Sequence, residues 1–350
     1  MTRKQRGFVI IGLLISVLFL WRAFSGLDVE QIIAELGRAN PLLLVAACVI
    51  FFVSLLFITL RWSYLLRSLA SVPLMYLFQL VNIGYMGNNV YPFRSGEVLR
   101  IALLHRSHRV SITRLTTTVL VERVFDGITM LTFVLIPLLF TDNTSPEVRT
   151  VANAATPIFL VALVIFLVLT LRPNILRHLV GLFTRPLPAG LGEKIRAISE
   201  DIIVGLSGLR TPRDLAGAVV TSYLSWGIHA FVYWAVALAI NLEVDYALML
   251  TAVGVVNLAG LIPASPGQIG VFEFFASRVL MGGGIPETQA LAYALLVHAV
   301  VWLPPTILGF YYLIRRGLDL SAVTKARELE NDLAAENHTN REAPVTPVIS

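Results

Sequence analysis

The sequence predicts an all-α, polytopic membrane helix bundle with about six crossings and two re-entrant helical hairpins in inverted repeats. Three observations lead there. The 350 residues are 56% hydrophobic and only 14% charged, with mean hydropathy +0.77, so charged groups are too few to cover a soluble fold of this size. Apolar runs long enough to cross a hydrocarbon core of roughly 30 Å recur along the chain. The basic residues alternate between connecting segments rather than forming a patch, so the net charge of +5 does not point to nucleic acid.

Six segments reach spanning length: about Phe8 to Phe24, Pro41 to Leu60, Leu115 to Phe140, Val151 to Leu171, Leu215 to Ile240 and Thr288 to Ile314. The first follows Arg3, Lys4 and Arg6 and reads as an uncleaved anchor, although Ala23-Phe24-Ser25 resembles a signal-peptide cleavage site. Leu74 to Val90 and Tyr246 to Ile262 are shorter, contain Asn and Gly, and stop at a proline. They read as re-entrant, because a broken helix survives in a bilayer only where protein or a wet cavity satisfies its backbone.

Cytoplasmic segments 1–7, 61–73, 93–114, 172–213 and 315–350 then hold 22 of the 27 Lys and Arg residues, which places both termini in the cytoplasm. Residues 1–320 form the membrane domain, and the polar, aperiodic stretch 321–350 reads as a disordered tail. Val29 to Leu36 and Ile195 to Leu209 are amphipathic, either interface helices or loop helices packed on the bundle. The one cysteine, Cys48, excludes an intrachain disulfide and a cysteine-based zinc site. No Walker loop, Rossmann glycine pattern or zinc-protease signature is present, and no cofactor or metal is expected.

An internal repeat relates the two short segments. Tyr91-Pro92-Phe93-Arg94-Ser95-Gly96-Glu97 lies opposite Ile262-Pro263-Ala264-Ser265-Pro266-Gly267-Gln268, an offset of 171 residues that also carries Pro41 onto Pro212. The repeat halves run about 27–140 and 190–314, with an odd number of crossings between them, so the second copy is inverted. Paired broken helices in inverted halves are how transporters build a midplane site with alternating access.

Ionisable residues at bilayer depth are costly, so each one asks for a partner or a function. Glu122, Arg123 and Asp126 sit early in the third span, with Glu122 and Asp126 one helical turn apart. They either pair with Arg94 or Arg100, holding the first tip, or carry charge for coupling. Asn89, Arg94, Glu97 and Arg100 flank the first tip, where Pro92 and Gly96 turn the backbone; an Arg fork beside free N–H groups suits a phosphate oxygen. In the second tip, Pro263, Pro266, Gly267 and Gly270 shape the turn, and Gln268 and Glu273 either meet a headgroup ammonium or hydroxyl or cap the following helix. His229 and His298, both within spans, read as bonded to neighbouring helices or as proton relays.

Asn89 through Arg100, then Glu122-Arg123-Val124-Phe125-Asp126, then Pro263 through Glu273 resemble the flippase-like membrane family related to the transmembrane half of lysylphosphatidylglycerol synthases. The resemblance covers roughly residues 5–320 and keeps Pro92, Arg94, Gly96, Glu97 and Arg100, whereas Gln268 stands where the family usually has the second glycine of Pro-Gly-Gly. It implies a prokaryotic inner-membrane translocator of a phospholipid or polyprenyl-linked lipid that works without nucleotide hydrolysis. Arg94 and Arg100 would meet phosphate, and Glu273 would stand at the opposite gate.

The aminoacyl-transferring relatives carry a separate soluble domain, and nothing after residue 320 is long enough for one. The expected partner is a membrane lipid with an anionic or modified headgroup, with a homo-oligomer or a lipid-biosynthesis protein as further partners. A lipid-modifying enzyme using Glu122 or Asp126 as acid or base, and a scaffold for such an enzyme, are the competing functional classes.

Overall fold

A computed structural model describes residues 3–92, 95–138, 172–185, 188–209 and 211–316, together with scattered positions between 149 and 168. All regular structure among them is helical. The expected span at Val151 to Leu171 falls largely outside the described residues, and the tail from residue 321 and Arg94 lie outside them entirely.

Helix α1 (Arg3–Phe24) turns sharply into α2 (Val29–Gly37), with the axes of Ile10–Phe24 and Val29–Gly37 at 84°. The Asp28 carboxylate caps α2 by accepting from the Glu30 N–H at 2.9 Å. Helix α3 (Pro41–Leu66) opens on a proline behind Asn40, whose Oδ1 accepts from Leu42 N at 2.9 Å. The chain continues through α4 (Leu74–Val90), α5 (Ser95–His108), α6 (Ile112–Leu138), α7 (Pro173–Thr184) and α8 (Ala189–Gly205). Next comes α9 (Pro212–Ala239), which opens on a proline capped by Thr211 as α3 does after Asn40. Helices α10 (Tyr246–Ala259), α11 (Val271–Gly282) and α12 (Glu287–Arg315) complete the bundle.

Helices α3, α9 and α12 are long and apolar enough to span a membrane among the described residues, and the bent α1–α2 pair makes a fourth if it forms one span. Helix α6 has 27 residues, but Arg114, Glu122, Arg123 and Asp126 interrupt its apolar character. Helix α3 runs six residues beyond the expected end of its span. Arg61, counted from sequence as a cytoplasmic flank, is therefore fully buried inside the helix.

The packing follows a two-fold pattern. Helix α3 lies along α9, α4 packs against α12, and α6 packs against α10. Consecutive short helices also fold back on each other, α4 onto α5 and α10 onto α11. The first of these hairpins brings backbones into contact. Asn88 Oδ1 accepts from Gly96 N at 3.0 Å, and a Cβ on Gly96 would collide with the Gly84 carbonyl oxygen and with Asn88 N.

Candidate functional site

The two hairpin tips meet, the turn Pro266–Gln268 packing on the end of α4, and both line a cavity of about 540 Å³ whose other walls come from α1, α3, α5, α6, α9, α10, α11 and α12. The first tip contributes Asn88, Asn89, Tyr91 and Pro92, with Glu97 and Arg100 just beyond it. The second contributes Ile262 through Gln268 in unbroken sequence. Arg123, Trp226, His229, His298 and Trp302 line the sides. Polar and charged groups thus gather inside a bundle that is otherwise apolar.

Behind the first tip lies a cluster of three arginines and three carboxylates. Arg61 on α3 places Nη1 2.5 Å from Asp126 Oδ1 and Nη2 3.8 Å from Glu122 Oε1. Arg100 on α5 donates to Glu122 Oε2 and lies 4.5 Å over the ring of Trp62. Arg123 sits 3.2 Å from Asp126 Oδ2 and 3.7 Å from Glu97 Oε1. Trp226 Nε1, from α9, donates to Asp126 Oδ1 at 2.7 Å. Charges removed from water to this degree persist only when paired, and here each cation has a carboxylate within reach.

Exposure divides the cluster. Arg61, Arg100, Glu122 and Asp126 are buried, whereas the side chains of Arg123 and Glu97 remain 39% and 22% exposed and line the cavity. The Arg123–Glu97 contact is too long for a hydrogen bond, and Glu97 Oε1 and Arg123 Nε have no hydrogen-bond partner. Arg100, read from sequence either as a phosphate contact or as a partner of the Glu122–Asp126 face, is held by Glu122 and lines the cavity, where Arg123 is the more exposed cation.

The second tip is held by a different device. Its turn takes three positive φ angles within four residues, 72° at Gly267, 60° at Gln268 and 92° at Gly270. Glycine adopts such angles freely, and a Cβ on Gly267 would also run into Trp302. Glu273, in the first turn of α11, accepts from Gly270 N through Oε2 at 2.6 Å. Its Oε1 lies 2.6 Å from His298 Nδ1, and His298 Nε2 lies 2.9 Å from the Gly267 carbonyl oxygen. Each ring nitrogen thus faces an acceptor oxygen, one from a carboxylate and one from a backbone carbonyl. Phe272 stacks on that ring at 4.2 Å and 14°.

Helix α12 connects the two tips. His298, Trp302 and Thr306 follow at four-residue intervals on one face. His298 grips the second tip, while Asn89 Nδ2 of the first donates to Trp302 O at 3.2 Å and Thr306 Oγ1 at 2.8 Å.

The structure therefore brings Glu97, Arg100, Glu122, Arg123 and Asp126 into one cluster and sets Asn89 and Gln268 on the cavity wall. Glu273 lies against His298 and Gly270. Pro92, Pro263, Pro266 and Gly267 line the cavity, Gly96 lies at the α4–α5 contact, and Arg94 lies outside the described residues. Sequence reasoning missed Arg61 as a member. Its signals were the helix-compatible run from Arg61 to Leu66 and the need of two acids, one turn apart, for two cations. Among the described residues, no group of three His, Cys, Asp or Glu side chains could hold a metal ion.

Comparison with known proteins agrees with this architecture. The chain is 30% identical over 330 residues to the glycosyltransferase AglD of Haloferax volcanii, a match covering 85% of this chain and 52% of that protein. The chain thus spans about half the length of that relative. It is 22% identical over 324 residues to a UPF0104 membrane protein of Pyrococcus horikoshii, covering 87% of this chain and 95% of the relative. A UPF0104 membrane protein of Methanocaldococcus jannaschii is 23% identical over 321 residues, covering 88% and 96%. Residues 9–309 match the lysylphosphatidylglycerol synthase TM region, and the chain is a multi-pass membrane protein belonging to that family.

Proposed function

We propose that this protein moves a phospholipid or polyprenyl-linked lipid between the leaflets of a prokaryotic inner membrane without hydrolysing nucleotide. The observation that carries the reading is the charged and amide-lined cavity, walled by both hairpin tips, inside an apolar bundle. Such a chamber offers a polar headgroup a path across hydrocarbon while the acyl chains stay in lipid. The hairpins act as re-entrant gates, and the halves 27–140 and 190–314 act as inverted repeats that open the chamber to each side in turn. The exchange of partners between α4–α12 and α6–α10 supports this arrangement.

Reconstitution tests the proposal. Vesicles carrying the purified protein and a fluorescent phospholipid should lose inner-leaflet fluorescence to an external quencher faster than protein-free vesicles. Rates no faster than in protein-free vesicles for phosphatidylglycerol, phosphatidylethanolamine and a polyprenyl phosphate alike would overturn it. The partial-length match to a glycosyltransferase favours one second reading, a membrane unit serving a lipid-glycosylating partner. Lipid recovered chemically changed from the same vesicles would select that reading.

A further inference from the structure

We propose that the hairpin of α7 and α8 is a docking surface for an anionic phospholipid leaflet, with α7 lying along the membrane surface. None of its described residues lines the cavity, so the surface is separate from the translocation site.

Helix α7 packs on α8, and α8 packs on the start of α6, where Asp201 accepts from Ser111 Oγ at 2.9 Å and from Arg114 Nε at 2.8 Å. Arg177 donates to both oxygens of Glu200 at 2.7 and 3.0 Å, and Arg196 Nε donates to Thr184 Oγ1 at 3.0 Å. The polar seam of the hairpin is thus closed on itself. Another face of α7 is apolar and uncovered. Ile175, Leu179, Leu182 and Phe183 recur at the spacing of one helical face and are between 42% and 71% exposed. A helix of 12 residues extends about 18 Å, too short to cross roughly 30 Å of hydrocarbon. One apolar face with a polar back suits a helix lying in the interface.

Charge selects the occupant. Residues 172–192 contain three arginines and no acidic residue. Arg172 and Arg185 stand exposed at the two ends of α7, and Arg106 and Arg109 stand exposed at the end of α5, just before the turns of α6 that hold α8. The carboxylates nearby are committed elsewhere, Glu200 to Arg177, Asp201 to Arg114 and Asp214 to Arg67, which leaves Glu193. Arg106, Arg109, Arg172 and Arg185 form no ion pair among the described residues. An apolar face flanked by unpaired guanidinium groups matches acyl chains beneath a layer of phosphates, each such cation strengthening attachment about fivefold. A second copy of the chain would bring the same cations against themselves.

Spin labels test the proposal. In a background with Cys48 replaced by Ala, a cysteine is placed at Phe183 or at His178, about 140° round the helix, and each labelled protein is reconstituted into vesicles. In equimolar phosphatidylcholine and phosphatidylglycerol, the label at 183 should be reached several-fold better by oxygen, which concentrates in hydrocarbon, than by a water-soluble nickel complex. The label at 178 should show the reverse. In phosphatidylcholine alone, or with Arg172→Gln and Arg185→Gln combined, the ratio at 183 should fall several-fold. A label at 183 reached mainly by the nickel complex overturns the proposal, as does one reached by neither reagent because this chain or a second copy covers it. An equal ratio in the two lipid mixtures also overturns it, and that comparison uses a single labelled protein, independent of how the double-arginine variant folds.

Discussion

Arg61 Nη1 lies 2.5 Å from Asp126 Oδ1, fastening the interior of α3 to α6 at a depth where neither side chain is free to reach water. Trp226 Nε1 and Ser222 Oγ, both from α9, contact the same pair at 2.7 Å and 3.4 Å. The junction thus ties three long helices together. Arg61→Met should leave Asp126 and Glu122 short of one counter-ion and destabilise the fold by about 3–5 kcal/mol. Adding Asp126→Asn to that variant should restore a large share of the loss. Thermal unfolding in detergent measures both, and an unchanged midpoint for Arg61→Met would show that the junction is not structural.

His298→Phe preserves ring stacking on Phe272 but removes both hydrogen bonds to the second tip, to Glu273 and to the Gly267 carbonyl. The expected cost is about 2–3 kcal/mol, in the range of hydrogen bonds to charged groups. The tip should also loosen. A cysteine placed at Ser265, in a background with Cys48 replaced by Ala, should react with a maleimide several-fold faster when His298→Phe is present. Identical labelling rates would show that the tip is held by something else.

Gly96→Ala is expected to force α4 and α5 apart, because its methyl group would meet the Gly84 carbonyl oxygen on the facing backbone. Overpacking of this kind costs about 1–3 kcal/mol. Gly181→Ala provides the contrast: it lies within α7 with nothing within 4 Å of the added carbon. Better helix propensity should stabilise it by about 0.5–1 kcal/mol. Paired unfolding curves read the opposite signs, and a stabilised Gly96→Ala would contradict the close hairpin.

Asn89→Ala should separate the first tip from α12 by removing the donations to Trp302 O and Thr306 Oγ1. Two neutral hydrogen bonds suggest a loss of about 1–3 kcal/mol. Because Trp302 lines the same cavity, the variant should also change tryptophan quenching by a membrane-permeant agent such as acrylamide. No change in either stability or quenching would argue against α12 as the element joining the tips.

Much of the fold was legible in the sequence because a bilayer imposes coarse, local constraints. Runs such as Pro41 to Leu60 announce long apolar helices, and caps such as Asn40-Pro41 and Thr211-Pro212 mark where they begin. The short stretch Leu74 to Val90, ending before Pro92, announced a break, and residues 262–270, rich in Pro and Gly, announced a second. Glu122, Arg123 and Asp126 stood out because three charges in an apolar run demand an explanation. Arg61 did not stand out, because a cation at the end of a 20-residue run looks like a flank. Its membership depends on acids some 60 residues away, and no local pattern encodes a distant pair.

Composition and periodicity by themselves determined that the chain is an all-α membrane bundle, where its long helices begin, and which residues were candidates for chemistry. These follow from propensity, capping and the cost of polar groups in hydrocarbon, all of which act over one or two helical turns. Only the tertiary structure decided who pairs with whom. It set Arg61 against Asp126 and Arg100 against Glu122, turned Glu273 toward His298, and left Arg123 with Glu97 at the cavity. A buried charge takes whichever counter-charge the packing brings within a few ångströms, and that choice is made between helices rather than along them.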